Sequence, residues 1–240
     1  MARTGEGSAG GPHSARRADG VRDVLVVVLA VTSGATDALG FVALGGAFTS
    51  VMTGNMVLLG VGIAHGDLVL LGLTVTALTG FVVGAAAGAR IAGSPQPGDS
   101  WWPRPITYAL LVETALFAVF AAGWWGFGSK PPEDAVLVLL GLNAVALGLQ
   151  SSAMRRFGVA GLSSTYLTGT LTTVVVQLTS GRRPGDVRQS LWILAGLVSG
   201  AVVGALLARH LPVAVPLAPL GPLLAVLTTV AVTVRQRRPK

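Results

Sequence analysis

The polar residues that interrupt this chain's apolar sequence come in two matching sets. The first is Gly34-Ala35-Thr36-Asp37-Ala38, followed by Thr53-Gly54-Asn55-Met56-Val57. The second is Gly148-Leu149-Gln150-Ser151, followed by Thr168-Gly169-Thr170-Leu171. Each set leads into glycines spaced four apart: Gly80, Gly84 and Gly88 in one half, Gly196, Gly200 and Gly204 in the other. The step from Gly54 to Gly169 is 115 residues, and from Gly80 to Gly196 it is 116. Spacing of four puts the small residues on one helical face, where two backbones can approach closely in lipid. Polar residues repeated at matching depths predict a membrane protein whose two halves meet around a polar centre.

The length of the apolar stretches fixes the class. About 20 helical residues cross the roughly 30 Å hydrocarbon layer, and most of the stretches reach that length. Only 11% of the residues are charged against 52% hydrophobic, too little charge to cover a soluble surface. There is no cysteine, which rules out disulfides and thiolate chemistry. The net charge of +7 does not indicate nucleic-acid binding. The arginines lie between apolar segments, as topology signals do, and are not interleaved with aromatics.

Residues 1–22 lack apolar periodicity and are expected to form a disordered basic tail. Apolar segments follow at about 24–44, 48–64, 68–92, 105–127, 135–154, 160–178, 191–208 and 213–234. The first is longer than a signal-peptide core and contains Asp37, so we expect it to be retained. The second and sixth are short and polar. The eighth opens with Pro212, Pro216, Pro219 and Pro222, which predicts an irregular start. Trp101-Trp102 and Trp124-Trp125 flank the fourth segment as expected interfacial anchors. The organisation read from this is a tail (1–22), a first membrane repeat (23–128), a second (129–234) and a basic C-terminal tail (235–240).

Counting basic residues separates two topologies. If all eight segments cross from a cytoplasmic N-terminus, 12 of the 17 Lys and Arg fall inside. If the two short segments enter and return on one side, 15 of 17 fall inside, leaving only Lys130 and Arg209 outside. The positive-inside rule favours the second. The expected fold is therefore an all-α membrane bundle of about six transmembrane helices with two short re-entrant or broken helices. Three crossings per half invert the second repeat relative to the first, and both termini are cytoplasmic.

Two motifs carry a family resemblance. Gly34-x-x-Asp37-Ala38 with Phe48-x-x-x-Met52-Thr53-Gly54-Asn55-Met56-Val57 resembles the signature of the YoaK family, bacterial membrane proteins of unknown function. The late motif is Gly148-Leu149-Gln150 with Thr165-Tyr166-Leu167-Thr168-Gly169-Thr170. Glu113 in Leu-Val-Glu-Thr also fits, and the resemblance covers about residues 24–234. Where the family usually has Gln-Asn, this chain has Gln150-Ser151, so a role resting on that Asn does not carry over. The resemblance implies an inner-membrane, multi-pass protein and no particular activity.

The candidate chemistry rests on the residues themselves. A carboxylate at bilayer depth costs about 2.5–3.5 kcal/mol on insertion scales, so Asp37 and Glu113 should face a cavity or a partner. Either is a proton or cation site, or a group bonded to a neighbouring helix. Thr53-Gly54-Asn55 and Thr168-Gly169-Thr170 are expected helix breaks whose free N–H groups could line a solute pathway. Their alternative is close packing sealed by hydroxyl-to-carbonyl bonds. Gln150, at the place in its half that Asp37 holds in the other, either binds solute or bonds between helices. The glycine stripes serve internal packing or a homodimer contact.

No HExxH, nucleophile elbow or nucleotide loop occurs, and His13, His65 and His210 lack metal-ligand spacing. We therefore expect no enzyme, no metal and no cofactor. The reading that remains is a transporter or channel for a small solute or ion, proton-coupled through Asp37 and Glu113. Its rival is a non-transporting membrane scaffold or regulatory subunit.

Overall fold

In the computed structural model the backbone is described for residues 12–157, 167–180 and 184–236, and side chains for 20–157, 168–180 and 187–236. The described residues form α1 (Pro12–Ala43), α2 (Met52–His65), α3 (Leu68–Ala92), α4 (Arg104–Gly126), α5 (Glu133–Met154), α6 (Leu167–Thr179), α7 (Pro184–His210) and α8 (Leu217–Gln236). Six helices are long and apolar enough to cross a membrane: α1, α3, α4, α5, α7 and α8. α2, at 14 residues, is shorter than a span. The chain is thus an all-helical polytopic membrane protein.

α1 begins at Pro12, inside the stretch expected to be a disordered tail. Proline suits a first helical turn because its missing N–H would have no partner there. Residues 1–11 lie outside the described part. The proline-rich start of α8 is irregular, as anticipated. A 3₁₀ turn covers Pro212–Ala214, and Pro222 lies inside the helix beyond it.

The glycine stripes set the architecture. A methyl group on Gly80, Gly84 or Gly88 of α3 would run into the carbonyl of Gly141, Val145 or Leu149 of α5. On α7, Gly196, Gly200 and Gly204 stand in the same way against Val27, Val31 and Ala35 of α1. The contacts are reciprocal: Gly148 rests on the carbonyl of Phe81 and Gly34 on that of Leu197. Backbone meets backbone along both seams, a geometry that gains dispersion and weak Cα–H···O contacts without ordering side chains. Residue numbers rise together along each seam, so α3 runs parallel to α5 and α7 parallel to α1. Neither half closes its own stripe. Both stripes are thus occupied by helices of the same chain.

α1 and α5 are the most buried of the spans. They run antiparallel, because Gln150 reaches Leu29 and Ser33, whereas a methyl on Gly40 would lie 3.6 Å from Leu140. α4 is antiparallel to α5: Ala109 packs with Ala153, and Gly123 lies beside Leu139. The indoles of Trp124 and Trp125 donate to the carbonyls of Pro212 and Val213, both at 2.8 Å. They tie the end of α4 to the turn before α8. Trp102 is buried, donates to Thr107 and meets Phe157 edge-on with centroids 5.3 Å apart. Trp102 and Trp124 are therefore buried structural links and not the interfacial anchors expected, because each indole N–H finds a protein partner.

These directions sort the charges. Arg22, Arg90, Arg104, Arg156, Arg188 and Arg235 lie at one end of the bundle, and Lys130 and Arg209 at the other. Gln189 of α7 donates to the carbonyl of Asp23 at 2.9 Å, which holds the starts of α1 and α7 together at the basic end.

Candidate functional site

The two buried acids have opposite surroundings. After α1 the chain folds back, and Thr49 and Ser50 descend beside the last turns of the helix. Oδ1 of Asp37 accepts from the backbone N–H of Thr49 (2.8 Å), the hydroxyl of Thr49 (3.0 Å) and the N–H of Ser50 (2.7 Å). Oδ2 accepts from the hydroxyl of Ser50 at 2.5 Å. Four donors saturate this carboxylate, and charge-assisted bonds of this kind are the strong ones. Asp37 therefore anchors a loop. Gly40 permits the approach, since a methyl there would press on Ala47 and Thr49.

Asn55 completes the fold-back. Its amide donates to the carbonyl of Phe48 (2.6 Å), and its carbonyl accepts the N–H of Phe48 (2.9 Å). The side chain thus mimics a paired strand and binds the loop to the first turn of α2. Gly54 lies 3.2 Å, measured from a built Cβ, from the ring of Phe48, which stacks on Phe41 with centroids 5.0 Å apart. Thr53, beside these residues, is exposed. Gly45, in the turn after α1, packs against Leu73 of α3. The end of α1 and the start of α3 therefore meet at one end of the bundle, and α2 enters and leaves there.

Glu113 is fully buried on α4, on the face that presents Leu110 and Phe117 to α5 and α8. Neither carboxyl oxygen has a hydrogen-bond partner. An ionised carboxylate left unpaired in such a place costs several kcal/mol. A proton or a cation must balance it. Gln150 links α5 to α1. Its amide donates to the hydroxyl of Ser33 (3.1 Å) and the carbonyl of Leu29 (3.3 Å), while its own Oε1 is unpartnered. Oδ1 of Asn143 is unpartnered too, although its amide donates to Leu139 at 2.9 Å.

In the second half, Thr168 and Gly169 are exposed at the start of α6, and Thr170 is buried with a bonding partner. Residues 158–166, among them Thr165 and Tyr166 of the late motif, lie outside the described part. The seams reset the correspondence of the halves. Val27, Val31 and Ala35 pair with Gly141, Val145 and Leu149, each 114 positions later. That register places Ser151, not Gln150, opposite Asp37; Gln150 corresponds to Thr36. The expected equivalence of Gln150 and Asp37 is off by one residue, because it was read from spacing to the breaks and not along the helices.

Thr49, Ser50 and Ser33 were not singled out from sequence. The hydroxyl pair Thr49-Ser50 has a sequence counterpart in Ser164-Thr165, 115 positions on, and that signal would have found it. Among the described residues, no group of three or more His, Asp or Glu is placed to hold a metal ion.

The comparisons with known proteins bear out the family resemblance. A family model described as a protein of unknown function (DUF1275) matches residues 25–230. The transmembrane protein YoaK of Bacillus subtilis (strain 168) is 36% identical over 161 residues, which is 67% of this chain and 68% of that protein. The chain belongs to the YoaK family. No solved structure matches. Within a YoaK-family chain, Asp37, Gly54 and Asn55 thus form one bonded unit, and Glu113 stands apart from it.

Proposed function

We propose that this YoaK-family protein passes a small solute or ion across the bacterial plasma membrane, with both termini in the cytoplasm. The pair of crossed glycine seams carries the reading. A half made of α1–α4 and a half made of α5–α8 exchange their contacts: α3 on α5, and α7 on α1. With α1 antiparallel to α5, that exchange fits an inverted repeat, the plan by which many transporters alternate access around a central site. Seams of bare backbone can slide without unlocking interdigitated side chains. The concentration of arginines at the end holding the starts of α1 and α7 supports the cytoplasmic assignment.

The test is uptake into proteoliposomes across a panel of amino acids, sugars, organic cations and inorganic ions. A Thr76→Cys/Gly141→Cys pair supplies the control, since the Thr76 methyl lies 3.2 Å from a Cβ built at Gly141. Flux should stop when the pair is oxidised and return on reduction. Absence of flux throughout the panel removes the reading. A scaffold or regulatory subunit would then stand in its place, and the saturation of Asp37 is the observation in its favour.

A further inference from the structure

We propose that Glu113 is a proton-binding site inside the membrane bundle, and that Asp37 is not. For its use in coupling this rests on the transport reading; its chemistry does not. Both oxygens of Glu113 are buried and unpartnered. Leu110 and Phe117, one turn to either side of it on α4, join an apolar cluster with Leu147 of α5 and Leu223 and Val226 of α8. A metal cation would need several oxygens in place of its hydration shell. A proton needs neither ligands nor space, so it is the ligand that fits.

Among the described residues no charged side chain of a packed helix bonds to Glu113; Arg90 of α3 comes nearest in level, since Ala92 packs with Ala109, but it is exposed. α5 carries Glu133 and Asp134 in its first turn, with Arg155 and Arg156 beyond its last. Arg235 is in the last turn of α8, and Arg90 is in the last turn of α3. On α1, Asp23 and Arg22 pair with each other near its start, and Asp37 is taken by Thr49 and Ser50. The register of α4 on α5, with Ala109 packed by Ala153 and Gly123 by Leu139, brings the neutral Gln150 within a turn of Glu113 along the bundle, and Gln150 keeps a free oxygen. Among the described residues none gives Glu113 a bonded counter-charge, so its charge changes with the proton it holds.

Dicyclohexylcarbodiimide tests this directly. The reagent is apolar, takes the proton of a carboxylic acid, and leaves a stable N-acylurea where water cannot hydrolyse the adduct. Full-length protein in native membranes is treated, digested and analysed by mass spectrometry. The peptide containing Glu113 should carry the adduct, and the Asp37 peptide should not. Above the site's own midpoint, labelling should fall about tenfold per pH unit, following the protonated fraction. Glu113→Gln should abolish it and Glu113→Asp should retain it, which guards against a misfolded variant. Adduct on Asp37, no adduct on Glu113, or protection of Glu113 by sodium or potassium ions would each overturn the proposal. Labelled Glu113 in a protein that moves no solute would leave the proton site standing and remove only transport.

Discussion

Asp37 and Glu113 look alike in sequence, each a single acid in an apolar helix, yet one has four donors and the other none. The difference teaches where the cost of a buried acid is met. At Asp37 it is met locally, by a loop that folds back and aims two N–H groups and two hydroxyls at one carboxylate. At Glu113 no hydrogen bond among the described residues meets it. An acid of the first kind holds structure. An acid of the second kind is open to exchange with a proton.

The comparison breaks most visibly at Asp37. Asp37→Ala strands two backbone N–H groups and two hydroxyls, and should lower stability by about 3–5 kcal/mol. Thermal unfolding in detergent measures this, and a loss under ~1 kcal/mol would mean that the loop does not depend on the acid. Ser50→Ala removes one charge-assisted bond and should cost about 1.5–3 kcal/mol in the same assay. Glu113→Leu should go the other way. Filling the place of an unpaired polar group with an apolar one of similar size should stabilise by about 1–2 kcal/mol. A marked loss there would reveal a partner for Glu113.

A third acid marks the small end of the scale. Asp99 is in the loop before α4, where Arg156 donates to it at 3.0 and 3.2 Å and also reaches the carbonyl of Ala92. The hydrogen bond from Arg156 holds its carboxyl below the ordinary aspartate range, helped by the N–H of Gln96. A lowered value means that the ionised form favours the fold. The contribution is complete above the ordinary aspartate pKa and is lost as pH falls through the lowered one. Melting curves of wild type and Asp99→Asn should therefore differ slightly at neutral pH and converge in acid. Solvent screening keeps the gap small.

The spans and the glycine stripes were legible in the sequence because each is a matter of spacing along the chain, whereas Thr53-Gly54-Asn55 and Thr168-Gly169-Thr170, expected as breaks, fall in the first turns of α2 and α6. Apolar length announced the spans, and the four-residue step of Gly80, Gly84 and Gly88 announced a close seam. The partner of each seam was not legible. Nothing in the stripe itself says that α3 lies on α5 and not on its neighbour α4. The roles of the two acids were hidden for the same reason: the donors to Asp37 arrive through a turn at Gly45 and Gly46, both with positive φ, and spacing alone does not foretell that turn. The indoles of Trp102 and Trp124 misled because a tryptophan near a helix end serves equally as a lipid anchor or as a donor to a nearby protein oxygen.

The opposed entry of the two halves is best tested by sided labelling of single cysteines in a chain that has none of its own. His65→Cys lies exposed at the turn after α2, and Ser180→Cys is exposed just after α6. A membrane-impermeant maleimide should reach His65→Cys from outside intact cells, and Ser180→Cys only from the cytoplasmic face of inverted vesicles. Labelling of both from the same face would contradict the inverted arrangement.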